Sequence, residues 1–378
     1  MKIVADENIP FVKEAFGLIG EVTTLPGRGM QARDLEDCEI LLVRSVTHVD
    51  EALIGEAPLR FVASATIGTD HVDLDYLKRR GIGFANAPGC NAESASEYVI
   101  AALFHLSAQK GFDPFSLRAG IVGHGNVGSR VRQKLEHLGI ETLLNDPPKQ
   151  RLGQDAFNYV SLQTLIDECD FITCHVPLTR DGRDPTWHLL DRQRLAELRP
   201  GCILFNAARG AVVDNPALSD LLDRRGDLNV FLDTWEGEPQ IDLELMYKVD
   251  LASPHIAGYS VEGRLRGTQM IHDALCRHLG IESHWFLQDH LPPAQALEAG
   301  GSGSLEDWQR LFAVHYPIGQ DDAALRALAA HPERAATDFD RLRKHYPARY
   351  EYPQFIISAD ATNDFRKRLQ GLGFRLSE

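Results

Sequence analysis

A chain of 378 residues exceeds the usual reach of one hydrophobic core, so two or three domains are expected. A formal net charge of −15 and a pI near 5.4 argue against a nucleic-acid surface, and no apolar run approaches the ~18 residues of a membrane span. Cys38, Cys90, Cys169, Cys174, Cys202 and Cys276 form neither a CxxC pair nor a dense disulfide spacing; they read as buried free thiols in a reducing cytoplasm, and no metal site is assigned.

Met1-Lys-Ile-Val-Ala-Asp reads at once as a strand rather than a signal peptide. Short apolar runs bounded by polar or turn residues follow at Ile40–Val43, 61–65, 120–122, 142–144, 170–173, 202–205 and Asn229–Leu232. They alternate with helical patterns such as 127–138 and 216–225, which predicts parallel strands covered on both faces in an α/β fold. A long helix over 93–105 separates an amino-terminal α/β unit from a glycine-turn unit, and a second helix covers Val261–Leu279. Beyond about residue 285 the texture changes. Leu291-Pro-Pro-Ala and Glu298-Ala-Gly-Gly-Ser-Gly-Ser304 read as flexible connection or exposed loop, and later patterns at 321–330, 338–345, Phe355–Ser358 and Asn363–Leu372 predict a small α+β domain.

Gly123-His-Gly125-Asn126-Val127-Gly128 lies between a strand pattern and a helix pattern, the context in which GxGxxG carries weight. Gly123 allows the tight turn, Gly125 lets backbone approach a pyrophosphate, and Gly128 lets the helix pack on the strand. The first helical residues turn their N–H groups toward the phosphates. Asp146, 146 − 128 = 18 residues on, is positioned for an adenosine ribose diol, which favours NAD over NADP.

Downstream stand Asn206-Ala207-Ala208-Arg209-Gly210, Asp233-Thr-Trp-Glu-Gly-Glu238-Pro239 and Ser253-Pro-His255-Ile-Ala-Gly258-Tyr259. Together they offer a guanidinium for a carboxylate, an imidazole for a hydroxyl proton and a carboxylate to orient that imidazole. The ordered spacings, 238 − 209 = 29 and 255 − 238 = 17, resemble the D-isomer-specific 2-hydroxyacid dehydrogenase family.

That resemblance implies Arg209, Glu238 and His255 as the catalytic residues. It implies NAD contacts along His175-Val-Pro177-Leu-Thr179, at Ala207, Ala208 and Gly258, and at Asp233 against the nicotinamide carboxamide. Ser45 and Thr66 match the family's amino-terminal substrate loops, while Arg44 suits a phosphate and Tyr259 could give the substrate a hydroxyl. The expected architecture is two doubly wound parallel-sheet, Rossmann-like domains plus a small C-terminal α+β domain. The substrate domain, discontinuous, takes 1–93 and 262–284; the NAD domain takes 94–261; a dimerisation domain takes 285–378. Only 109–118 links the long helix to the glycine-turn strand, too short for an arm around a partner, so a homodimer is expected through the last domain. Ending the chain near 284 should then leave the α/β core intact but remove most of the self-association. The expected activity is cytoplasmic oxidation of a small phosphorylated hydroxy acid, with no membrane or nucleic-acid partner. Another phosphorylated substrate of the same family, or a dinucleotide-sensing corepressor, are the alternatives.

Overall fold

The computed structural model describes residues 1–298, 301–358 and 362–377; part of the glycine–serine stretch expected as a connection, 299–300, lies outside them. The chain forms two compact units, Met1–Asn91 with Tyr259–Pro292, and Ala92–Gly258 with Pro293–Glu378.

The first unit holds β1 (Lys2–Asp6), β2 (Glu21–Leu25), β3 (Ile40–Val43), β4 (Phe61–Ser64) and β5 (Gly83–Ala85), in the order β2-β1-β3-β4-β5 and parallel throughout. Successive strand side chains point to opposite faces, and both faces are covered here. Ile40, Leu42, Phe61 and Ala63 enter one core, whereas Leu41, Val43 and Val62 enter the other. The helix Val261–Leu279 sends Leu265, Ile271 and Leu275 into the first of these cores, which is how the chain returns to this sheet.

The second unit holds β6 (Arg118–Val122), β7 (Glu141–Asn145), β8 (Phe171–Cys174), β9 (Ile203–Asn206), β10 (Asn229–Leu232) and β11 (Leu251–Ala252), in the parallel order β11-β10-β9-β8-β6-β7. The strand order reverses between β6 and β8. In open α/β sheets ligands bind at the carboxyl ends of the strands at such a switch point. A further parallel sheet, β12 (Gln295–Glu298), β13 (Phe355–Ser358) and β14 (Arg375–Leu376), follows.

The fold class is as expected, and the carboxy-terminal segment packs within the same compact unit as the nucleotide-binding sheet. Leu325, Leu328, Ala335 and Phe339 share one hydrophobic core with Ile172, Leu204 and Val230 of the nucleotide-binding sheet. Phe312 packs on Phe104 with ring centroids 4.8 Å apart, and the wholly buried Trp308 lies beside it. A cut near residue 284 would expose this shared surface. Leu325→Val should weaken the shared core by about 1 kcal/mol. Urea unfolding should show one earlier transition involving both sheets; two transitions, only one of them shifted, would mean the segments fold separately.

Candidate active site

Two loops and a helix start follow from local sequence at the end of β6. Gly123 has φ 91°, and a Cβ there would lie 2.7 Å from the His175 carbonyl oxygen. A Cβ on Gly128 would approach the Gly123 carbonyl to 1.9 Å, so the helix Asn126–His137 can sit this close only with glycine. A Cβ on Gly125 would meet nothing within 4 Å, and Gly125 and Asn126 are exposed at the helix N-terminus. Packed on two glycines and open at the third, the turn fits a dinucleotide pyrophosphate, with Asn126 and Val127 opening the helix.

Asp146 ends the next strand connection, as expected, but it also braces the turn. Its Oδ2 accepts the His124 N–H at 2.9 Å and its Oδ1 accepts the Lys149 N–H at 3.0 Å. Lys149 Nζ donates to the His124 carbonyl at 2.6 Å, which draws this ammonium into the same brace. His175 follows β8, with Nε2 2.9 Å from Thr173 Oγ1; burial pulls its imidazole down to about 3, so it stays neutral. Thr179 closes its loop by donating its N–H to Thr186 Oγ1 at 2.8 Å, and Thr186 Oγ1 donates to the Pro177 carbonyl at 2.5 Å.

The three expected catalytic residues lie in this same unit, on the loops that end β9, β10 and β11. His255 Nδ1 is 2.7 Å from Glu238 Oε2. The other carboxylate oxygen, Oε1, accepts the Trp235 N–H at 2.7 Å. Burial pushes the Glu238 carboxyl up, but the imidazole charge and its hydrogen bond, then Arg343 and the Trp235 N–H, hold it below the usual range. Because the folded value is the lower one, the carboxylate stabilises the native state above the ordinary carboxylate range. That contribution is lost as pH falls through its folded value.

His255 itself has φ 57°, left-handed for a residue with a Cβ. Asp233 holds that conformation. The Asp233 carbonyl accepts the His255 N–H at 2.7 Å, while its buried carboxylate accepts from Ser253 Oγ at 2.6 Å, Ile256 N at 2.7 Å and Ala257 N at 2.9 Å. The residue expected at the nicotinamide carboxamide is thus also the organiser of the histidine loop. Asn206 does the same for the arginine loop, taking the Ala208 N–H at 3.2 Å and donating to the Arg209 carbonyl at 2.9 Å. Ala207 and Ala208 lie between them. A Cβ on Gly210 would fall 1.9 Å from the Trp235 carbonyl carbon, so glycine lets the arginine loop lie directly on the loop carrying Glu238.

Two arginines missed by sequence reading reach this machinery from the carboxy-terminal segment. Arg343 contributes charge to Glu238, and the buried Arg349 donates to the carbonyl of Ala257, one residue before Gly258. No spacing signal joins residues this far apart in sequence.

In the first unit, Arg44 follows β3 and donates from Nη2 to the Tyr259 hydroxyl at 3.1 Å. Ser45 is exposed beside it, while Thr66 Oγ1 lies 2.7 Å from Ser64 Oγ after β4. The structure adds Arg264, five residues past Tyr259 near the start of a helix capped by Ser260. Arg264 is exposed over much of its length, yet desolvation of its head group and then the like charge of Arg44 hold it below the ordinary arginine range. Tyr259 acts in the opposite sense. The only sequence sign of Arg264 was a cation at the helix end that disfavours one.

Residues 95–257 match the D-isomer specific 2-hydroxyacid dehydrogenase, NAD binding domain, and 290–373 match a domain of unknown function. The chain is 44% identical over 362 residues to the erythronate-4-phosphate dehydrogenase of an Escherichia coli strain, covering 95% of this chain and 94% of that one. It is 47% identical over 355 residues to the enzyme of the same name from Azotobacter vinelandii, with 93% of each covered. In fold it is similar to a D-lactate dehydrogenase from Aquifex aeolicus, complexed with NAD and lactic acid, at TM-score 0.63 and 24% identity, over 74% of this chain and 96% of that one. A cofactor-bound 3-phosphoglycerate dehydrogenase from Entamoeba histolytica gives TM-score 0.64 at 23% identity, over 74% and 95% respectively.

Proposed function

This chain belongs to the erythronate-4-phosphate dehydrogenases, NAD-dependent oxidoreductases of the D-isomer-specific 2-hydroxyacid dehydrogenase family, and from that premise we propose that it oxidises 4-phospho-D-erythronate to 2-oxo-3-hydroxy-4-phosphobutanoate. The observation that carries the chemistry is the His255–Glu238 pair at 2.7 Å. With Nδ1 turned to the carboxylate, His255 presents Nε2 as the base for the C2 hydroxyl proton. Glu238 fixes the ring and offsets the imidazolium charge that forms. Arg209 binds the substrate carboxylate and polarises the C2 oxygen, a task for which a planar guanidinium is suited. Bound NAD supplies the hydride acceptor, held by the glycine turn, Asp146, the 175–179 loop, Ala207, Ala208, Asp233 and Gly258.

Phosphate recognition is assigned to Arg44 and Arg264, with Tyr259, Ser45 and Thr66 as hydroxyl donors. Two guanidiniums near one tyrosine repel each other, and a phosphate dianion relieves that repulsion. The test is NADH formation from 4-phosphoerythronate, erythronate and 3-phosphoglycerate. Turnover should be highest with the first, and Arg44→Ala or Arg264→Ala should lower its kcat/KM by about 10- to 100-fold while changing erythronate little. Equal losses on both four-carbon acids would assign these arginines to another role, and no NADH from any hydroxy acid would favour a dinucleotide sensor.

Among the described residues no helix is long and apolar enough to cross a membrane, and the reading is a cytoplasmic step of vitamin B6 biosynthesis. A homodimer through the carboxy-terminal segment fits the short link between Lys110 and Arg118. Val314, 61% exposed on the helix Leu305–His315, is the place to probe it. Sedimentation of the intact chain should give a dimer that Val314→Arg weakens; a monomer at all concentrations would end this reading.

A further inference from the structure

Away from the loops that end the strands, the helix Val261–Leu279 carries His272 and Cys276 one turn apart, both buried, and the following segment brings His284 back to them. We propose that His272, Cys276 and His284 form a binding site for a thiophilic divalent cation, with zinc as its natural occupant.

The distances support coordination. His272 Nε2 lies 3.5 Å from His284 Nε2 and 3.6 Å from Cys276 Sγ. Zinc bonds of about 2.1 Å to nitrogen and 2.3 Å to sulfur, set tetrahedrally, put ligand atoms about 3.4–3.7 Å apart. All three ligand atoms lie within 4.8 Å of one another. Hydrogen bonding satisfies this arrangement poorly. With the ring proton on Nδ1 facing Asp273, His272 Nε2 has one lone pair for two neighbours, whereas a cation between the three atoms serves all.

The surroundings have the form that a metal-bound histidine requires. With Nε2 turned to the site, His272 presents Nδ1 to Asp273 Oδ1 at 3.5 Å, so ring and carboxylate stand in the order carboxylate, histidine, cation. Asp273 Oδ1 is in turn fixed by Gln269 Nε2 at 2.8 Å and Ser283 Oγ at 2.7 Å. His284 is exposed, giving the cation a way in and leaving a fourth position for water. The bland reading of Cys276 as an inert thiol thus gives way to a ligand. The cation would pin the 280–286 turn onto the last two turns of the helix, a structural rather than a redox task.

Cobalt(II) is the probe, titrated into the intact, metal-stripped chain. The expected result is one equivalent bound, with a thiolate-to-cobalt charge-transfer absorption and the intense visible bands of tetrahedral cobalt, displaced by zinc. His284→Ala, at an exposed position, should weaken cobalt and zinc by at least about 100-fold. Cys276→Ser should abolish the charge-transfer band, and Asp273→Asn should cost about 10- to 100-fold. Zinc should raise the melting temperature of the parent chain but not of His284→Ala. Absence of the thiolate band, or its persistence in Cys276→Ser, would overturn the proposal. So would equal zinc affinity in parent and His284→Ala. These readouts are independent of dehydrogenase turnover.

Discussion

His255→Ala should lower kcat by about 10²–10⁴-fold while leaving NAD affinity within a few-fold of the parent. The glycine turn and Asp146 share no hydrogen bond with the imidazole, so cofactor binding has no reason to follow it down. Glu238→Gln should lower kcat as well, by less, because the amide keeps a hydrogen-bond partner at Nδ1 but removes the charge that steadies the imidazolium. Rapid-mixing measurement of NADH formation, together with NAD binding followed by fluorescence, separates chemistry from affinity. Near-parent turnover of His255→Ala at neutral pH would remove it from proton transfer. A collapse of NAD binding alongside the lost rate would show instead that the substitution had disturbed the strained loop.

Arg349→Met should cost about 3–5 kcal/mol of stability and reduce kcat in the protein that remains folded. Its guanidinium is buried, donates to the carbonyls of Ser94 at 3.4 Å and of Ala257, and lies 4.5 Å over the Tyr316 ring. Around it sits a buried network whose charges it balances. Asp321 accepts from the hydroxyls of Tyr316 at 2.5 Å and Tyr346 at 2.9 Å. Burial raises the Asp321 carboxyl, while those hydroxyls and then Arg349 oppose the rise. Glu97 is likewise raised by burial and takes the Tyr352 N–H at 2.8 Å. Removing the cation leaves these groups desolvated and uncompensated. Methionine fills similar volume, so the loss reports charge and hydrogen bonding more than a cavity. Urea denaturation gives the stability and steady-state kinetics the rate. A loss under 1 kcal/mol with unchanged kcat would mean that the carboxy-terminal segment does not support the histidine loop. Arg349→Lys should rescue only in part, since a compact ammonium loses the flat guanidinium's packing over the Tyr316 ring.

Sequence was sufficient wherever chemistry or burial is local. The runs Ile40–Val43 and Asn229–Leu232 are strands with the expected bounds, because the positions of a strand buried on both faces are apolar; only the half-buried Asn229 departs. Val261–Leu279 also starts and ends as read, since Ser260 caps it and Gly280 ends it in the left-handed conformation. The glycine turn was legible from its local context, a strand pattern before it and a helix pattern after it, although the close approach at Gly123 is to distant His175. The strands β2, β5, β11, β12 and β14 escaped, being short or partly exposed, with no apolar run to announce them. The trio Arg209, Glu238 and His255 was named through a family resemblance, which could not say what holds His255 at φ 57°.

That answer belongs to the tertiary structure. Asp233 reaches the histidine loop because β10 and β11 are neighbours, and Arg349 reaches it because the carboxy-terminal segment folds onto the helix Ala92–Lys110. Arg264 meets Arg44, and His284 meets His272 and Cys276, only once the helix Val261–Leu279 has returned to the first sheet and its chain has turned. A sequence encodes local geometry in adjacent residues, where sterics and burial leave a pattern. Contacts between distant segments leave none, because they are set by which apolar faces find each other and by the buried polar groups those faces enclose.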